Sequence, residues 1–347
     1  MKPVKIGNRW VGKGHPCYII AEIGSNFDGS LSKAKKLIKL AKECGADAAK
    51  FQSFITEELL SRRGFETKSA FQKRWKKSVW EVYKSAELPR KWHKELNQYA
   101  KKNGIHFFSS PWDFEAVDLL DQLDVPAIKV GSGDITYLDL LRHIGSKKRP
   151  VFLATGSSTL DEVENAVRVI KSTGNNQIIL MHAVVQYPSP IEEANLRVLQ
   201  TLKERFKLNV GYSDHSPGAL IAISSVSRGA CVIEKHFTTD SRLPGPDHLH
   251  SMDYNSFKDM VRNIRLVEKA LGDGIKRIQP SEKETRIIQR RGIWTIQKIH
   301  RGEKFSNHNI KPLRPSIGIP ASKYKFILGK KARRTYKIYE PLTSRDL

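Results

Sequence analysis

Short apolar runs alternate with longer segments whose apolar residues recur at helical spacing, and this alternation repeats along most of the chain. Residues 17–23 predict a strand, and 31–44 predict a helix with Ala34, Leu37, Ile38 and Ala41 on one face. Residues 47–51 predict a second strand, whose helix over 92–103 follows a long insertion rich in Lys, Arg and Trp. Strand and helix then alternate at 105–108 and 114–123, 127–130 and 137–144, 151–154 and 160–172, and 177–181 and 193–206. Two more pairs complete the series, 208–211 with 218–228 and 231–234 with 256–271. In the last helix Phe257, Met260, Val261, Ile264, Val267 and Leu271 keep a 3.6-residue period. Eight such units require a parallel sheet, and their number and length suit an α/β fold of the closed (β/α)8 or TIM-barrel type. An open doubly wound sheet would carry a GxGxxG turn after its first strand, and none is present.

The texture changes after residue 272. Residues 1–272 are assigned to the barrel, 273–284 to a polar linker, and 285–347 to a small β-rich domain. That last stretch holds short β-like runs at 292–295, 310–313 and 336–338. A module of this size builds little core alone and is expected to dock onto a larger one.

Composition narrows the setting. Of the 347 residues 39% are hydrophobic, enough for a large core. The three cysteines, Cys17, Cys44 and Cys231, are far apart and odd in number, so no disulfide framework is expected and a reducing, cytoplasmic setting is. No apolar run reaches the length of a membrane span, and no signal-peptide core opens the chain. The net charge of +24 suits nucleic acid or anionic small molecules. Its Lys and Arg are spread over many segments with no nucleic-acid-binding motif, so a solvated basic surface is expected, with neither nucleic acid nor membrane as partner.

Barrel active sites lie at the C-terminal ends of the strands, which sorts the candidates by position. The strand ends offer Glu22, Lys50 with Gln52, Ser109-Ser110, and Lys129 with Ser132 and Asp134. Further on they offer Thr155-Gly156, Ser213-Asp214-His215 and Glu234-Lys235-His236. So many polar groups at one end of a barrel describe a catalytic mouth. Lys50, Lys129 and Ser132 suit a phosphate; Lys129 has the alternative of pairing with Asp134 or Glu22. His215 and His236 end neighbouring strands and could converge on a divalent ion, with His182 and His248 as competing ligands. Thr159 and Glu162 form a capping box. His15, His93 and His300 fall in polar stretches read as exposed and take no role.

At this point the motifs become recognisable. Residues 21–26 (AEIGSN), 50–52 (KFQ), 129–134 (KVGSGD), 211–215 (GYSDH), 233–237 (IEKHF) and 244–248 (PGPDH) resemble, in order, the sialic acid synthase family. Arg290-Arg291, Arg301-Gly302-Glu303 and Arg314-Pro315 resemble that family's antifreeze-like (SAF) domain. The resemblance implies condensation of phosphoenolpyruvate with an N-acetylated amino sugar, N-acetylmannosamine or a di-N-acetylated relative, to a nine-carbon acid with release of phosphate. It implies that Lys50, Lys129, Ser132 and Ser213 hold phosphoenolpyruvate, and that Gln52, Tyr187 and Asp247 face the sugar; Ser110 is a further substrate-binding candidate. Arg314 would reach the sugar from a partner subunit in a domain-swapped homodimer. His215 and His236 would bind a divalent metal, Mn²⁺ or alternatively Mg²⁺, and Glu22 and Asp134 would be the catalytic carboxylates. Departures stand at Phe27, where the family has His, at Ala154, at Val185 in place of a hydroxyl-bearing segment, and at Ser316, where Arg-Pro is usually followed by Gly. They leave open a second reading, a catalytically weakened sugar- or phosphate-binding protein on the same scaffold.

Overall fold

A computed structural model describes residues 1–68 and 72–346. Residues 69–71 of the basic insertion and the last residue lie outside that range. Two compact units are present, Met1–Gly272 and Asp273–Leu347.

The first unit begins with an antiparallel hairpin absent from the sequence reading, β1 (Val4–Ile6) and β2 (Arg9–Val11). Strands of three residues are too short to show a period, and Gly7 turns between them at φ +55°. Ile6 and Val11 are buried, and Asn8 meets His106 at 3.0 Å. Asn209 donates to the Lys2 carbonyl at 2.9 Å, so the hairpin covers the N-terminal ends of the strands.

Eight parallel strands follow: β3 (Tyr18–Glu22), β4 (Ala48–Ser53), β5 (His106–Pro111), β6 (Ile128–Val130), β7 (Val151–Ala154), β8 (Ile178–Ala183), β9 (Asn209–Asp214) and β10 (Val232–His236). Their order, β5-β4-β3-β10-β9-β8-β7-β6, is that of a barrel, with β5 and β6 side by side where the circuit closes. Each strand is followed by a helix whose apolar stripe faces the sheet. The helix Leu31–Glu43 buries Ala34, Leu37, Ile38 and Ala41 and is capped by Ser30. The helix Leu160–Ser172 starts on the Thr159–Glu162 capping box.

Inside the barrel, Tyr18, Phe108 and Phe152 stack at 5.4–6.0 Å. Side chains alternate along a strand, so Glu22, Ser110 and Ala154 share the inward faces of those aromatics, farther toward the C-terminal ends. The barrel is therefore floored with rings and mouthed with polar groups.

Local differences from the sequence reading have local causes. The helix expected over 193–206 is a turn at Ile191–Glu193 and a helix at Val198–Phe206, broken at Asn195, whose φ is +38°. The polar stretch 273–284 is not wholly irregular. Gln279 and Glu282 make a capping box, Pro280 occupies the first turn, and the helix Lys283–Gln289 follows. Among the described residues the second unit has one antiparallel pair of strands, β11 (Gly292–Thr295) and β12 (Ile310–Leu313). The run 336–338 is not a strand. Tyr336 makes a single bridge to Ile299, and its ring is buried among Ile293, Phe305 and Leu342.

Candidate active site

The strand register sets side chains abreast at the mouth. Glu22 pairs with both Lys50 and His236, and Glu234 pairs with Ser213. From these positions a continuous polar chain forms. Gln52 donates to Glu22 at 2.8 Å, and Glu22 pairs with Lys50 at 2.7 Å. Lys50 donates to Ser110 at 3.3 Å and approaches Glu234 at 3.7 Å. Glu234 then takes Lys129 at 2.9 Å and Ser213 at 3.0 Å. Lys129 thus pairs with Glu234 rather than with Asp134 or Glu22, because the barrel interior brings β6 and β10 face to face.

Two lysines and two carboxylates, all nearly inaccessible to water, face one another in this chain. Burial raises the Glu22 carboxyl against the pull of Lys50. Burial would also raise Glu234, but Lys129 and Lys50 outweigh it and hold that carboxyl at about 2. Burial lowers Lys129, while Lys50, also desolvated, is raised by its two carboxylate neighbours. Asp134, in the turn after β6, is pushed up to about 6 by burial alone.

Above the chain stand the histidines. His215 Nδ1 lies 2.8 Å from the Val184 carbonyl. A carbonyl only accepts, so Nδ1 carries the proton and Nε2 keeps its lone pair. Burial depresses His215 to about 3 and His236 to about 4, so both are neutral near pH 7. Their ring centroids are 5.7 Å apart, with Tyr187 against His215 at 4.3 Å. Buried His236 Nδ1 has no hydrogen-bond partner among the described residues. Neutral imidazoles with free lone pairs are the donors a divalent ion needs, so these residues fit a metal. Of the competing histidines, His248 has both nitrogens engaged, by Thr238 and Asp28, and His182 alternates to the outer face of β8, beside Tyr212 and the Ala194 carbonyl. Asp247 receives both the backbone N–H and hydroxyl of Ser25, at 2.9 and 2.8 Å.

The Ser132 hydroxyl accepts from Gly156 N–H at 3.1 Å. A Cβ on Gly156 would meet Val185 at 2.5 Å and Ser132 Oγ at 2.9 Å, so this corner is tight and partly apolar. Phe27 is core, packed against Phe51 and Trp92, and Ala154 is buried. Twelve of the thirteen singled-out residues stand at the barrel's C-terminal ends or in the loops that follow them. Arg314 is in the second unit, exposed just past β12.

The sequence reading gave Glu234 no role, although it ends β10 and joins both lysines. It also passed over His250, which forms a group with His236 and Asp247 whose ligand atoms lie within 4.8 Å of one another. His93 was read as exposed and is instead fully buried, meeting Ser53 at 2.6 Å. Its polar sequence neighbours face outward on a helix whose other face it shares with Leu96 and Ala100.

The pattern that defines the NeuB family matches residues 37–276. The chain belongs to the NeuB family. It is 42% identical to the N,N'-diacetyllegionaminic acid synthase of Campylobacter jejuni, over 92% of this chain and 96% of that one. It is 37% identical to the pseudaminic acid synthase of Helicobacter pylori, over 96% and 98% of the two chains. Among solved structures, the N-acetylneuraminic acid synthetase of Leptospira borgpetersenii matches with a TM-score of 0.75 and 32% identity, covering 82% of this chain and 95% of that one. This NeuB-family protein is an enzyme of the sialic acid synthase type, a phosphoenolpyruvate-dependent transferase on a TIM barrel.

Proposed function

We propose that this enzyme condenses phosphoenolpyruvate with an N-acetylated amino sugar, N-acetylmannosamine or a di-N-acetylated relative, to a nine-carbon sialic-type acid and phosphate. The observation that carries this reading is the buried chain Gln52–Glu22–Lys50–Glu234–Lys129, lying beneath two neutral histidines. Lys50, Ser110, Lys129, Ser132 and Ser213 hold the phosphoenolpyruvate anion. Gln52, Tyr187 and Asp247 face the sugar, and Arg314 reaches it from a partner subunit of a homodimer, through an antifreeze-like second domain spanning 285–347.

His215 and His236 hold a divalent ion, Mn²⁺ or alternatively Mg²⁺, which supplies Lewis acidity toward the sugar aldehyde. The enol carbon C3 forms a bond to the aldehyde carbon, and positive charge develops at C2. Glu22 and Asp134 face that charge; one of them takes a proton from the water whose oxygen adds to C2. The C2–O bond to phosphate then breaks: the electron pair leaves with phosphate, the C2 hydroxyl gives up its proton to leave a keto group, and the two protons of the added water end on the former aldehyde oxygen and on phosphate. Glu234 keeps both lysines in place without entering the reaction.

The test is phosphate release with phosphoenolpyruvate, metal and a panel of N-acetyl sugars, with mass spectrometry of the product. Release only when all three are present, with a nine-carbon acid formed, is the expected result. Binding of phosphoenolpyruvate without turnover on any sugar overturns it in favour of a weakened binding protein, the reading to which Val185 beside Gly156 points.

A further inference from the structure

We infer that His250 is a ligand of the metal centre, and that His236, Asp247 and His250 hold a divalent first-row ion before either substrate arrives. The inference rests on the preceding reading only in placing such an ion at this mouth. The turn His248–His250 is a 3₁₀ helix capped by Asp247, and in such a turn side chains three apart eclipse. Asp247 and His250 therefore project on one side, and His250 Nε2 lies 3.9 Å from Asp247 Oδ1.

The opposite side is supplied by β10, which ends in His236. The rings of His236 and His250 are 4.6 Å apart at 73°. One ligand atom from each of His236, Asp247 and His250 falls within 4.8 Å of the others. The His250 side chain is only 3% exposed. Ser25 occupies Asp247 Oδ2 and leaves Oδ1 facing the histidines.

The loop is tied down independently. Ser251 Oγ donates to the Asp247 carbonyl at 2.6 Å, and Asn26 donates to Ser251 at 2.9 Å. His248, the intervening histidine, spends both nitrogens on Thr238 and Asp28 and is not available. Two imidazoles and one carboxylate form a donor set for Mn²⁺, Fe²⁺ or Zn²⁺ that leaves positions open to substrate oxygens. His215 faces His236 from beside Tyr187 and is the fourth candidate donor around the ion.

The experiment is titration of the full-length apo-protein with Mn²⁺ alone, followed by calorimetry and by the electron paramagnetic resonance signal of free Mn²⁺. Losing a ligand costs at least as much as losing the group that orients one, so His250→Ala and His250→Gln should each weaken binding by roughly tenfold or more. Circular dichroism of both metal-free variants should match wild type, which keeps the loss assignable to the ligand. A Kd for both variants equal to that of wild type overturns the inference. If His236→Ala loses the metal while His250→Ala keeps it, the inference fails and the proposed function stands. If His250→Ala loses the metal but no sugar yields phosphate with wild type, the proposed function fails and the inference stands.

Discussion

Replacing Asp134 by Asn should make the protein more stable and less active, with a pH signature set by the desolvation of this carboxylate. Burial lifts its pKa from an ordinary 3.8 to about 6. Each pKa unit corresponds to about 1.4 kcal/mol, so carrying the ionised form in the folded state costs about 3 kcal/mol at neutral pH. The sign follows from the raised folded value. The folded state binds the proton more tightly than the unfolded chain, a contribution fully present below about pH 4 and lost as pH rises through about 6. Asn has no such term. In urea denaturation, the gap between Asp134→Asn and wild type should widen from pH 5 to pH 7 and then level off near 2–3 kcal/mol in favour of the variant. Phosphate release should meanwhile fall on the order of 10²–10⁴-fold if Asp134 handles the water's proton. A stability gap that stays flat between pH 5 and 8, or that favours wild type, would refute the desolvated carboxylate; full activity in the variant would refute its catalytic role.

Other positions carry sharp expectations. Lys235 and Asp214 form a fully buried pair at 2.7 Å on the outer side of β9 and β10, so Lys235→Ala should destabilise by about 3–5 kcal/mol. Adding Asp214→Leu to Lys235→Met should recover much of that loss in the same unfolding assay; no recovery would argue against an uncompensated charge as the cause. A Cβ on Gly211 would meet Met181 Sδ at 2.5 Å and the Val232 carbonyl at 2.8 Å, so Gly211→Ala should cost about 1–3 kcal/mol. An unchanged unfolding midpoint would show that β8 and β10 can spread. Arg314→Ala should raise the KM for the sugar with little change in kcat, and an unchanged KM would rule out that contact.

The barrel was legible because its evidence is repetitive. Every strand is a short apolar run and most helices keep their 3.6 period, so errors of a few residues at Leu138, Val198 or Tyr254 do not alter the count. The mouth was legible because strand ends are positions in sequence. What escaped depends on facing rather than on order. Lys129 and Glu234 are far apart in sequence and meet only because β6 and β10 look across the same interior. His250 needed the eclipsing of a 3₁₀ turn to come alongside Asp247, and no periodicity announces a single turn. His93 was misjudged because its neighbours are lysines, while the helix directs them and it to different sides. The β1–β2 hairpin, at three residues a strand, carries too little pattern to be read at all.

That hairpin bears on the traffic of the proposed reaction. With Ile6 and Val11 buried beneath the strands and Tyr18, Phe108 and Phe152 stacked above them, the barrel is a well filled at its N-terminal end. A reaction that consumes water in such a well must admit it past the sugar or before the sugar. Order of arrival then becomes a matter of geometry. The reacting water either waits at the bottom beside the charged chain or is shut out once the acceptor is seated.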